Sequence, residues 1–144
     1  MTVPDKYRIW VVDASPEGFD LVKRSIGGND WLTLQHFSSA SAFLAEVGNA
    51  VMSPTMLPQI VLCDFFLGED TGMEVFSQFN DLFMGMEDYK PYFITFSSVP
   101  RANQTMVENG APWELLKEKE ADTSGVLKEF FASKEKVAAH LGHS

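Results

Sequence analysis

Five short apolar runs recur along this chain, Arg8–Val12, Trp31–His36, Ile60–Cys63, Pro91–Phe96 and Trp113–Leu116, and a segment with apolar residues at helical spacing follows each. Few folds accommodate that alternation. Runs so short and so rich in β-branched and aromatic residues suit strands covered on both faces of a parallel sheet. Each helical segment must then cross back over the sheet with right-handed sense, which puts helices on both faces. The expected architecture is a three-layer α/β sandwich, a five-stranded parallel sheet flanked by five helices. With 144 residues the chain fits a single domain spanning 1–144.

Local signals mark the ends of the helices. Ser15 precedes Pro16 at a first helical position, Phe19, Val22 and Ile26 keep helical spacing, and Gly27-Gly28 stops the segment. Ser38-Ser39 lead into a helix with Phe43, Leu44 and Val47 on one face and Gly48 at its end. Met73, Phe76, Phe79 and Phe83 form a third stripe. Pro100 to Asn109 reads as a short fourth helix stopped by Asn109-Gly110. Thr123 or Ser124 caps a last one carrying Val126, Leu127, Phe130, Phe131, Val137 and Leu141. The stretch Met84–Lys90 is longer than the connection requires and reads as a surface loop, or as an adaptable methionine contact.

The net charge of −9 argues against a nucleic-acid partner, which would need clustered Lys and Arg, and favours a basic protein surface. Cys63 is the only cysteine, so no internal disulfide forms and a reducing compartment suits the chain. No apolar run approaches the length of a membrane span, and the N-terminal residues lack the apolar core of a signal peptide. The expectation is a cytoplasmic protein.

The strand-to-helix junction Ile60–Glu74 carries the strongest chemical signal. Its apolar run stops on the single carboxylate of Asp64, at the carboxyl end of a strand, where open α/β sheets bind their ligands. Asp13 stands at the same place after the first run, Ser97 after the fourth, and Lys117 just past the fifth. Two acids, a hydroxyl and an ammonium gathered at one sheet edge would suit a phosphoryl group with a divalent cation between the carboxylates.

These residues, in this order, resemble the receiver domain of two-component response regulators, and the resemblance runs over nearly the whole chain. Val11-Val12-Asp13 is similar to the end of that family's first strand. Asp64 with Leu67, Gly72 and Glu74 resembles its phosphoacceptor motif, Ser97-Ser98 its switch hydroxyl and small neighbour, and Gly110-Ala111 followed by Lys117 its Gly-Ala and lysine. The resemblance implies a flavodoxin-like fold and a non-enzymatic role: Asp64 accepting a phosphoryl group from a sensor histidine kinase or phosphotransfer protein, and a downstream protein target. It also implies Mg²⁺ held by Asp13, Asp64 and the backbone carbonyl of Phe66, with Lys117 pairing with the phosphoryl oxygens and Ser97 as switch.

Three positions depart from the family pattern. Ala14 replaces a second acid and cannot ligate a metal, so Mg²⁺ is expected to bind weakly. Glu118 replaces a proline after Lys117 within a run of alternating charge, which leaves Lys119 as a rival for the lysine role. Gly68 stands where proline is common, which should loosen the loop. Two functions follow: a stand-alone phosphoacceptor, or a pseudo-receiver that binds partners without phosphorylation. A dehalogenase-like phosphatase would need an acid two residues after Asp64, where Phe66 stands instead. The Phe130-Phe131 pair suits either the core or a homodimer face, and His36, His140 and His143 show no metal-ligand spacing.

Overall fold

The computed structural model describes residues 3–143. Five parallel strands form the sheet: β1 (Tyr7–Val12), β2 (Leu32–Phe37), β3 (Ile60–Cys63), β6 (Tyr92–Ser97) and β7 (Trp113–Leu116), in the order β2-β1-β3-β6-β7. Between β3 and the next helix, β4 (Phe66–Leu67) and β5 (Asp70–Thr71) pair as a minimal antiparallel hairpin. The helices are α1 (Pro16–Ile26), α2 (Ala40–Ala50), α3 (Gly72–Leu82), α4 (Pro100–Glu108), α5 (Glu120–Phe130) and α6 (Lys134–Leu141).

Alternation along each strand divides the core in two, because successive side chains point to opposite faces. Trp10, Val12, Val61 and Phe93 pack on one face with Phe43, Phe76, Phe79 and Met106. Ile9, Val11, Leu62, Ile94 and Phe96 pack on the other with Val22, Ile26, Leu127 and Val137. The chain leaves β1 for β2 through α1, then returns past β1 to β3 through α2. That reversal opens a crevice between the carboxyl ends of β1 and β3, where Asp13 and Asp64 stand.

Among the described residues six α-helices surround the sheet, not five. The last expected helix breaks after Phe130. Ser133 is extended, with φ −153°, and its hydroxyl accepts from the Lys136 amide, which starts α6 afresh. Neither Thr123 nor Ser124 caps α5, which begins earlier, at Glu120 behind Lys119. Thr123 lies inside the helix and its hydroxyl accepts from the Glu118 amide. Phe130 and Phe131 are both buried, so the pair belongs to the core. Gly68 also does something other than loosen its loop: at φ +72° it makes the β4–β5 turn, a conformation proline's fixed negative φ forbids.

Candidate functional site

Asp13 follows β1 directly and is sealed from solvent, its side chain only 1 % exposed. One carboxylate oxygen accepts from the Ser15 amide at 2.9 Å, and the other meets Lys117 Nζ at 2.6 Å. Space for it is made by Gly18 on α1, where a Cβ would lie 2.0 Å from the Asp13 oxygen. Glycine is required here by close approach, since no side chain fits. The Asp13 carbonyl accepts from His36 Nε2 at 2.8 Å, and that imidazole stacks on Phe19 at 4.7 Å. His36, assigned no site from the sequence, therefore fixes the backbone that carries the first acid.

Asp64 follows β3, with its amide bonded to the Val12 carbonyl, so the two acids stand on neighbouring strand ends. Its side chain is 14 % exposed, and one oxygen accepts from the Phe65 amide at 2.8 Å. The other lies 3.4 Å from Lys117 Nζ. Burial pushes the Asp64 carboxyl above its ordinary range and the charge of Asp13 adds to this, while Lys117 and the Phe65 amide oppose it. Gly72 closes the loop beneath: its amide bonds the Phe65 carbonyl at 2.7 Å, and a Cβ there would come within 3.0 Å of the Asp64 carbonyl. Cys63 is buried behind the site, its thiol facing the Asp64 carbonyl at 3.2 Å. Burial pushes that thiol up and leaves it protonated.

Lys117 is the cation of the crevice, and Lys119 is not. The Lys117 amide bonds the Ser97 carbonyl at 3.0 Å, which carries the β6–β7 pairing one residue past Leu116. From there the side chain runs inward, 17 % exposed, with Nζ 5.0 Å from the Phe96 ring centroid. Lys119 instead precedes α5 and is exposed.

Ser97 is buried at the end of β6, and its hydroxyl accepts from the Val99 amide at 3.1 Å. That hydroxyl makes no hydrogen bond to Asp64 or to the Lys117 ammonium among the described residues. Among the described residues nothing accepts its hydroxyl proton, so the donor is uncommitted. Ser97 is held by a residue the sequence reading passed over: Asn103 of α4 bonds both its amide and its carbonyl. Phe66 is 54 % exposed beside the crevice, and its ring meets Phe65 edge-on at 5.0 Å. Glu17 stays out of the crevice, its carboxylate exposed and taking a hydrogen bond from the Ser15 hydroxyl, which holds its carboxyl below the usual range.

The acid pair offers hard oxygen donors of the kind a magnesium ion takes, but no group of three His, Cys, Asp or Glu gathers among the described residues. Both Asp13 oxygens are already engaged. The set therefore fits only an ion that keeps most of its water, with the Asp64 carboxylate as the direct ligand the crevice offers.

No family model matches the sequence, and no curated protein does either. Solved structures match it over nearly its full length. A two-component response regulator from Cytophaga hutchinsonii is 18 % identical, with TM-score 0.70 over 88 % of this chain and 96 % of that one. The response regulator domain of Thermotoga maritima CheB is 18 % identical, with TM-score 0.67 over 96 % and 98 %. The BeF3-activated DrrB receiver domain is 15 % identical, with TM-score 0.62 over 89 % and 99 %. Identities this low speak for architecture alone, and the architecture of this chain is that of a CheY-like response-regulator receiver domain.

Proposed function

We propose that the chain is a phosphoacceptor module of two-component signalling, with Asp64 as the acceptor. The observation that carries this reading is the convergence of two strand ends on the ammonium carried by a third: Lys117 Nζ stands 2.6 Å from Asp13 and 3.4 Å from Asp64. On this reading the Asp64 carboxylate, 14 % exposed beside a fixed cation, attacks a phosphohistidine in line. The new bond joins the Asp64 oxygen to phosphorus, the phosphorus–nitrogen bond breaks, and the electron pair leaves on the imidazole. Lys117 offsets the charge gathering on the phosphoryl oxygens, and the uncommitted Ser97 proton is available to one of them. Bound Mg²⁺ would supply further charge neutralisation, held by Asp64, the Phe66 carbonyl and water, with Asp13 contributing charge. A carbonyl and one carboxylate make this a weak site.

The partners on this reading are a sensor histidine kinase or phosphotransfer protein and a downstream protein target, in the cytoplasm. Among the described residues no helix is long and apolar enough to cross a membrane. Half-exposed Val107 and Trp113, on the α4 and β7 edge, supply apolar surface for a target. No turnover of a separate substrate is expected.

One observation favours a second reading. With Ala14 in place of an acid and Asp13 fully engaged, Lys117 already offsets part of the crevice's acid charge without a metal, as a pseudo-receiver acting purely by binding would allow. Acetyl phosphate with Mg²⁺, followed by intact mass, separates the two. Phosphoacceptance predicts a single added phosphoryl that Asp64→Asn abolishes. No gain of mass at magnesium well above millimolar leaves the pseudo-receiver.

A further inference from the structure

Asn103 lies in the middle of α4, on its buried side, and is 1 % exposed. Its side-chain oxygen accepts from the Thr95 hydroxyl at 2.9 Å and from the Ser97 amide at 3.0 Å. Its side-chain nitrogen donates to the Ser97 carbonyl at 3.1 Å and to the Leu115 carbonyl at 3.3 Å. Two donors and two acceptor sites are thus all engaged, which is the full capacity of an amide. Thr95 and Ser97 are themselves completely buried. An apolar side chain at 103 would leave the buried Ser97 amide without this acceptor and take a donor from the Ser97 and Leu115 carbonyls, so this one amide is what ties both strand ends to α4.

The partners of this one amide decide what it orients. Ser97 is gripped at both its backbone polar groups, and its carbonyl also takes the Lys117 amide. Leu115 lies two residues before Lys117 on the neighbouring strand. The Ser97 hydroxyl takes the Val99 amide, while the Val99 carbonyl takes the amides of Ala102 and of Asn103 itself, closing a ring from strand end to helix and back. Neither the hydroxyl strand nor the lysine strand can shift at its end without loading α4.

We infer that Asn103 is a positioning residue that couples the Ser97 and Lys117 strand ends to α4, so that a change at Asp64 reaches the α4 surface through one buried amide. The signalling part of this rests on Asp64 being the phosphoacceptor; the coupling itself does not. Rigid four-point bonding is what a two-state element needs if a small displacement at one end is to move the whole helix.

Amide hydrogen exchange on the full chain tests it. In Asn103→Leu without any phosphodonor, the Val99 and Lys117 amides should exchange at least about tenfold faster, as loss of buried hydrogen bonds implies, while Val11 and Leu62 in the sheet centre stay as in wild type. Unchanged Val99 and Lys117, or acceleration spread evenly over the sheet, overturns the coupling. If Asn103→Leu does not fold, Thr95→Val removes one of the four bonds with little change of shape and is read the same way. The second arm adds acetyl phosphate and Mg²⁺. Labelled wild type should change its α4 exchange, and the variant, compared at equal added mass, should have lost that α4 response. A full α4 response in the labelled variant overturns the proposal, whatever the stability of the variant. A wild type that takes no label removes the phosphoacceptor reading, and the first arm still decides the coupling.

Discussion

The two acids of the crevice are the same residue type, one strand apart, sharing one lysine, yet they are built for different work. At the β1 end, Asp13 is sealed under α1, both oxygens are bonded, and the ammonium sits at 2.6 Å. At the β3 end, Asp64 keeps some exposure, the ammonium stands back at 3.4 Å, and burial outweighs that partner in setting its protonation. The first is an anchor that aims Lys117. The second, on the proposed reading, is the group that reacts. Environment, not identity, separates the roles, in the way that unequal surroundings separate paired carboxylates in enzymes.

The widest gap between them should appear in stability. Asp13→Ala removes one partner of a buried ion pair, strands the Ser15 amide and empties the space beside Gly18, at a cost of about 3 kcal/mol. Asp64→Ala loses a weaker ion pair and a net burial penalty together, and should cost no more than about 1 kcal/mol. Urea unfolding of the two variants measures the difference. Equal costs would break the distinction between anchor and reactive group.

Gly18 sharpens the same contrast through its neighbour. Glycine to alanine inside an exposed helix normally stabilises by up to about 1 kcal/mol, and Gly125 in α5, with open space around its Cβ position, should behave that way. Gly18→Ala would drive a methyl into the Asp13 carboxylate, and the overpacking should reverse the sign to a loss of about 1 to 2 kcal/mol. A stabilised Gly18→Ala would mean that Asp13 can leave its niche freely.

Much of this layout is legible in the amino-acid sequence. The alternation of runs set the strands and their crossovers and so put Asp13 and Asp64 at one edge of the sheet, whereas the reversal at β1 that makes them neighbours is a pairing order that no local pattern states. Lys117 could not be told from Lys119 because both sit in a charge run. What separates them is the Lys117 amide joining the β6 carbonyl at Ser97, a non-local pairing. His36 and Gly18 were silent for the same reason, since each matters only through a residue far off in sequence. Asn103 did leave a trace. It lies three residues before buried Met106 on the inward stripe of α4, and a polar side chain there asks for buried partners. The break between α5 and α6 was missed because Val137 and Leu141 keep a helical spacing of their own beyond it.

Phe66 tests whether the β3 end is reactive in the manner proposed. Its ring is 54 % exposed and adds little to the core, so Phe66→Asn should leave stability within about 0.5 kcal/mol of wild type. An amide in its place admits and orients water beside an acyl phosphate that the ring would shield. The phosphoryl group should therefore be lost several-fold faster, a barrier change of about 1 kcal/mol, followed by intact mass after the donor is removed. A lifetime unchanged or lengthened contradicts shielding by the ring.

The smallest effect is the titration of Asp64 itself. Its carboxyl holds a proton to higher pH in the folded chain than in the unfolded one, mainly because burial penalises the charge. The folded state then binds more protons between the two values, so wild-type stability falls as pH rises through that window. Above it, the ionised group is a net burden. Asp64→Asn keeps the shape and the bond from the Phe65 amide while removing the charge, and should melt slightly higher than wild type at neutral pH, by no more than about 1 kcal/mol. As the pH drops below the ordinary carboxylate range, Asp64 is protonated in both states and the two melting curves should converge. A variant that melts lower at pH 7 would mean that attraction to Lys117 outweighs burial, making Asp64 a second anchor and erasing the asymmetry between the two strand ends.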